Sequence, residues 1–132
     1  MKFHQATLPV SDIGRSRKFY LDLGLQLIVD SDHYCRFADP DHTGTLSIEQ
    51  GDGSGDGPIG TGAIMYFEYE SPSALDQAVR DLTAKGLVVS APQDQRWLWR
   101  EAKLQDPDGH PIKLFYAGKN RLNPPWRVTE PQ

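Results

Sequence analysis

The order of hydropathy patterns in residues 3–50 returns in residues 63–118, and a chain built this way is constrained to fold as two copies of one small unit. Residues 3–10, FHQATLPV, alternate as a half-buried strand, with Ala6, Leu8 and Val10 on one face and Gln5, Thr7 and Pro9 on the other. A helix follows from Ser11 or Asp12 to about Leu23, capped by Asp12, striped with Ile13, Phe19, Tyr20 and Leu23, and closed by Gly24. Strands fit LQLIVD, HYCRFAD and TLSIEQ, the last two joined by a turn that begins Asp39-Pro40-Asp41. The second half starts with the strand AIMYFEY over residues 63–69. Its helix opens at Ser71-Pro72, carries the stripe Ala74, Leu75, Ala78, Val79 and Leu82, and ends at Gly86. Strands are predicted at LVVS, WLWREAKLQ and PIKLFYAG, with Asp106-Pro107-Asp108-Gly109 joining the last two.

Each half therefore reads β-α-β-β-β, an α+β plan. One module buries its helix against one sheet face and leaves the other face open, so two modules joined edge to edge make a curved sheet cup with the helices outside. The organisation expected is a first module over 1–50, a Gly-rich linker over 51–62, a second module over 63–118 and a C-terminal arm over 119–132. The linker GDGSGDGPIGTG imitates the start of a calcium-binding loop, but Ala63 stands where the bidentate glutamate belongs, and it carries no P-loop lysine.

Composition excludes several classes. With 132 residues, 38% hydrophobic residues and 24% charged, the chain is long enough for its own core and is not a disordered tail. A net charge of −4 argues against nucleic acid as a partner. The absence of a signal-peptide pattern, of a long apolar run and of a second cysteine beside Cys35 gives the expectation of a cytoplasmic protein that does not associate with membranes. Cys35, in HYCRF, reads as an inert, partly buried thiol.

The segments QATLPVSDIGRSRKFYLDLGL and LQDPDGHPIKLFYAG resemble the vicinal oxygen chelate superfamily of glyoxalases, extradiol dioxygenases, fosfomycin-resistance transferases and bleomycin-resistance proteins. The likeness runs over about residues 3–118. It implies a homodimer, and, in metal-using members, ligands on cup-facing strand positions. Those slots correspond here to Gln5, to Ser47 between Leu46 and Ile48, to Ile64, and to Lys113 between Ile112 and Leu114. Glu49 faces the same way as Ser47, one rung on. An isoleucine and a lysine in place of two ligands argue against a catalytic divalent ion, which needs about three protein donors, and Lys113 is expected to pair with Glu49 instead. His4, His33, His42 and His110 read as surface or capping groups rather than ligands.

Without a metal, the open face becomes a pocket. Strand alternation turns Gln5, Tyr34, Arg36, Ser47 and Glu49 of the first module inward, and Ile64, Tyr66, Glu68, Lys113 and Phe115 of the second. On the penultimate strand Trp97, Trp99, Glu101 and Lys103 share a face opposite Leu98, Ala102 and Leu104. Aromatic walls with a few charges suit a small aromatic or apolar guest, and the glutamates favour a cationic one. The leading expectation is therefore a metal-independent binding protein of the bleomycin-resistance type, with no catalytic residue and no cofactor. The alternative is a glyoxalase- or dioxygenase-type enzyme with one divalent metal ion on Gln5, Glu49 and a third group. Weaker readings are a metal-free enzyme with Glu49 or Glu68 as base and Lys113 as oxyanion stabiliser, and a protein whose aromatic face docks another polypeptide. The arm KNRLNPPWRVTEPQ, with Trp126 as its apolar anchor, either folds back over its own sheet or reaches across to a second subunit, and the homodimer that the resemblance implies favours the second.

Overall fold

The first strand, β1 (Gln5–Val10), buries Leu8 and Val10 and leaves its odd-numbered positions to solvent, the period of two that its sequence carries. Helix α1 (Ile13–Leu23) starts where Asp12 accepts from Arg15 N at 3.0 Å, and stops where Gly24 takes a left-handed φ of 115°. Three strands complete the first sheet: β2 (Gln26–Asp30), β3 (Tyr34–Ala38) and β4 (Thr45–Gln50). Their order is β1-β4-β3-β2, with β1 parallel to β4 and the remaining pairs antiparallel. A register shift between Leu27 and Val29 makes a bulge in β2, at the sheet edge, and leaves Ile28 half exposed.

In the second sheet β5 (Met65–Glu68) lies parallel to β8 (Pro111–Tyr116), and the order is β5-β8-β7-β6, with β7 over Arg100–Gln105 and β6 over Gln93–Asp94. Helix α2 (Pro72–Ala84) is capped by Ser71, whose hydroxyl accepts from Ala74 N, and buries Leu75, Val79 and Leu82. Ala102 and Leu104 of β7 and Ile112 and Leu114 of β8 are buried as well. The architecture is thus two tandem βαβββ modules, each a helix and a four-stranded mixed sheet. The structure, a computed structural model, describes residues 1–51 and 63–128; nearly all of the Gly-rich segment, with its calcium-loop and phosphate-loop resemblances, lies outside the described residues.

Two strand boundaries differ from those the sequence predicts. Leu87–Ser90 is not a strand: Leu87 N–H closes the end of α2 on Leu82 O, Pro92 has no N–H, and only Ser90 bonds to β7, through Lys103. The pairing segment is instead Gln93–Asp94. Residues 97–99 form the turn into β7 rather than its first rungs, with Leu98 at a φ of 70° and its N–H bonded to Gln95 O. Leu98 is accordingly half exposed and not packed on the helix side.

By contact the chain divides into two compact units, and the turn Gln105–Pro111 clusters with the first. Its two carboxylates explain why. Asp106 accepts from Asp108 N and His110 N at 2.9 Å, which shapes the turn, and from the Tyr20 hydroxyl at 2.7 Å. Asp108 accepts from Ser11 N–H and, at 2.6 Å, from Ser11 Oγ, at the N-terminus of α1 where the helix field favours an anion. His110 is buried, with Nε2 at 2.8 Å from Pro9 O, so it is an interior residue and not the surface group its turn position suggests. Cys35 is fully buried, its thiol 3.4 Å from Asp30.

Burial first, and then the Asp106 carboxylate, hold the Tyr20 phenol far above its ordinary value. The folded chain thus binds this proton more tightly than the unfolded one. The resulting stability is complete below about pH 10, the unfolded value, and falls as pH rises beyond it. Tyr20→Phe should cost about 1.5–3 kcal/mol in urea unfolding at pH 7. The same variant should lose stability less steeply than the parent above pH ~10.

Candidate functional site

The helix-free face of the second sheet gathers most of the chemistry. Parallel pairing sets Tyr66 opposite Lys113 and Glu68 opposite Phe115, so that two aromatics and two charges occupy adjacent positions on one face. The left-handed turn at Leu98 delivers Trp99 onto Phe115, with ring centroids 4.6 Å apart and an interplanar angle of 18°. Tyr66 stands at right angles to both, 6.0 Å from Trp99 and 5.6 Å from Phe115. The result is an aromatic corner in stacked and edge-to-face geometry, with Phe115 buried beneath it and 45% of Tyr66 exposed.

A charged pair borders this corner. Glu101 is buried on β7; one carboxylate oxygen accepts from Trp97 Nε1 at 2.9 Å and the other lies 3.4 Å from Lys113 Nζ. Burial by itself would lower the Lys113 pKa, but the Glu101 carboxylate and the Tyr66 hydroxyl outweigh it, and the net direction is upward. The ammonium is therefore firmly charged and stands 5.5 Å from the Tyr66 ring centroid. The sequence assigned Glu49 as the partner of Lys113. The partner observed is Glu101, on the same sheet.

In the first unit, register sets Arg36 beside Ser47 and Tyr34 beside Glu49. The Tyr34 hydroxyl is 2.7 Å from the buried Ser47 Oγ and accepts from Arg36 Nε at 3.0 Å. The hydrogen bond with Ser47 makes this phenol more acidic than an ordinary tyrosine; burial opposes the change, and Arg36 and Gln5 reinforce it. Gln5 Oε1 also accepts from Thr45 Oγ1 at 2.9 Å. Glu49 is exposed near the end of β4, and Ile64 is exposed ahead of β5, outside the strand. Neither joins a cluster.

Two contacts were not legible in the sequence. Asn120 O accepts from Trp99 Nε1 at 3.2 Å, and Arg121 Nε lies 3.6 Å from Glu68 Oε1. The start of the arm thus contacts its own sheet, one of the two courses left open by the sequence. The one available signal was Gly118 at the end of the last strand, which takes a left-handed φ of 56°.

A family model described as the glyoxalase/bleomycin resistance protein/dioxygenase superfamily matches residues 2–114. The chain belongs to that superfamily. Solved structures with the same fold include a glyoxalase/bleomycin resistance protein/dioxygenase from Nocardioides (22% identity, TM-score 0.78, covering 97% of this chain and 89% of that one). A bleomycin resistance determinant encoded on transposon Tn5 is 20% identical with a TM-score of 0.71, covering 88% of this chain and 98% of the other. A lactoylglutathione lyase from Agrobacterium tumefaciens is 15% identical, with a TM-score of 0.70 over 87% of this chain and 92% of its own. No curated protein sequence matches significantly.

The resemblance assigns metal ligands to four positions, and each can be compared on its own with what a divalent ion needs. Gln5 bonds to Thr45, Ser47 is tied to Tyr34, Ile64 has no donor, and Lys113 brings a cation paired with Glu101. In the β1/β4 register Glu49 lies opposite Pro9, four residues beyond Gln5, or about 13 Å along the strand. Gln5 and Glu49 are too far apart for ligands that must each approach one ion to about 2 Å. Among the described residues no three His, Cys, Asp or Glu side chains come together in a metal-binding group. This donor set does not fit a divalent metal.

Lys113→Met should destabilise the fold by about 3 kcal/mol, the low end for breaking a buried pair, because it strands the Glu101 carboxylate. Adding Glu101→Gln should recover most of that loss, as measured by paired urea unfolding curves.

Proposed function

We propose that this chain binds a small planar aromatic compound without a metal, and that it acts by holding that compound rather than transforming it. The observation that carries this reading is the aromatic corner of Trp99, Phe115 and Tyr66, stacked and edge-to-face among themselves, on which Tyr66 stays 45% exposed as a surface for a flat guest. The charges beside it, Lys113 with Glu101 and the more exposed Glu68, supply the few polar groups that orient a guest in a largely apolar site. Tyr34, Arg36 and Ser47 are proposed as a second polar group of the same function. The likeness of fold to a bleomycin-binding protein solved with bleomycin, at 20% identity, supports the class of activity and does not name the ligand. A homodimer is the assembly proposed, on superfamily resemblance.

The glyoxalase- or dioxygenase-type alternative has less support, because its ligand slots hold Ile64 and Lys113. Purified without chelator, the protein should carry only background divalent metal by plasma mass spectrometry. About one ion per chain would reverse the order of the two readings.

The direct test is a titration of intrinsic tryptophan fluorescence with bleomycin and a panel of fused-ring aromatics. At least one compound should bind saturably, and Trp99→Ala should weaken it by about 3- to 10-fold, the worth of one aromatic pair. A flat response across the panel, or binding indifferent to both Trp99→Ala and Tyr66→Ala, would remove the proposal.

A further inference from the structure

We infer that Arg121 is a built-in competitor for the cationic group of a ligand: its guanidinium holds the Glu68 carboxylate at the edge of the aromatic corner, and a planar cation entering the corner displaces it. The inference rests on the aromatic-binding reading above and adds the charge of the ligand and the part of the chain that answers to it.

Glu68 is the residue opposite Phe115 in the β5/β8 register, on the same face, so a cation paired with Glu68 lies beside the Phe115–Trp99 stack. That is the position in which a flat cationic ring gains both stacking and charge pairing. Arg121 is already there, with Nε 3.6 Å from Glu68 Oε1. The residue before it touches the other wall of the corner, since Asn120 O accepts the Trp99 indole N–H. Two consecutive arm residues thus engage two of the groups a ligand would use.

The arm is weakly held there. The ion pair is single-pronged and close to half exposed on both sides, with 46% of the Arg121 side chain and 40% of that of Glu68 accessible, far from the bidentate fork that makes arginine pairs strong. Leu122, Trp126 and Val128, the apolar side chains that could anchor the arm, are all exposed. Asn120 Oδ1 is buried and meets no donor among the described residues, a penalty that the closed position carries and an open one relieves. The arm also has a pivot. At Gly118 φ is +56°, and a Cβ there would stand 2.7 Å from the Tyr116 hydroxyl, so only glycine fits without displacing that side chain.

The test uses the full chain and two probes of one shape, quinoline, neutral at pH 7.5, and N-methylquinolinium, permanently charged, titrated by calorimetry. Arg121→Ala should bind N-methylquinolinium about two- to five-fold more tightly than the parent, the range of an exposed ion pair, and leave quinoline unchanged. Arg121→Gln serves the same purpose should the alanine variant be poorly folded. Glu68→Gln should remove the preference for the charged probe, and Arg121→Ala should then have no further effect. Hydrogen exchange at residues 119–123 should quicken on addition of N-methylquinolinium and not of quinoline. Unchanged or weaker binding of the cation to Arg121→Ala, with quinoline still bound, overturns the competitor and leaves the aromatic site standing. Failure of both probes on every variant overturns both.

Discussion

Two carboxylates in one turn hold much of this fold in place. Asp106 and Asp108 are both buried: Asp106 shapes the turn through the N–H groups of Asp108 and His110 and accepts from the Tyr20 hydroxyl, while Asp108 seats the turn on the start of α1 through Ser11. A buried carboxylate without donors is expensive, whereas one that accepts several hydrogen bonds is stable and geometrically demanding. Two of those donors to Asp106 lie within the turn, and the others, from Tyr20 and Ser11, come from residues more than eighty positions away. The first helix, its capping residues and the turn Gln105–Pro111 are consequently joined by one set of polar contacts beside an apolar core of Leu8, Val10, Phe37 and Ile48.

This coupling explains why two short sequence segments point so strongly to one superfamily. The run VSDIGRSRKFY and the run DPDGH contain the two sides of the same contacts: Ser11 and Tyr20 in the first, Asp106 and Asp108 in the second. The face proposed to bind a guest is held by contacts within the second unit instead, the Trp99–Phe115 stack and the bonds of Glu101 to Trp97 and Lys113. Phe115 and Glu101 are buried in that face while Tyr66 is half exposed, and the four positions that the resemblance assigns to metal ligands hold an amide, a hydroxyl, an alkyl group and an ammonium. The same scaffold thus carries a site whose polar groups satisfy one another, as Glu101 does with Trp97 and Lys113.

Legibility in the sequence followed periodicity. Both helices, with Asp12, Ser71 and Gly24 at their ends, were readable because caps and stripes are local signals. The strands carrying Gln5, Tyr34, Arg36, Ser47, Tyr66, Lys113 and Phe115 were readable because alternation assigns faces without knowledge of partners. It failed where the backbone left the strand region. Trp97 and Trp99 were expected two rungs apart on one face; the positive φ at Leu98 turned Trp99 onto Phe115 and Trp97 onto Glu101. Ion-pair partners were the least readable, since a lysine's reach covers several candidates and only sheet register chooses among them. The arm contact of Asn120 and Arg121 depends on one glycine's dihedral angle, for which no side-chain pattern gives notice.

The bulge at Ile28 has a consequence for how these molecules coexist at high concentration. An open strand margin is a template on which another chain can grow by continuing the ladder. Here β2, one margin of the first sheet, is bent out of register after two residues, while β1, the other, carries Pro9 with no N–H to offer. In the second sheet β6 is only two residues long. Exposed Ile28 and Val29 would otherwise make an adhesive margin, and the broken register denies an incoming strand the straight run it needs to zip up. The obstacle that an added strand would meet at β2 is a break in backbone register, which a change of side-chain charge alone leaves in place.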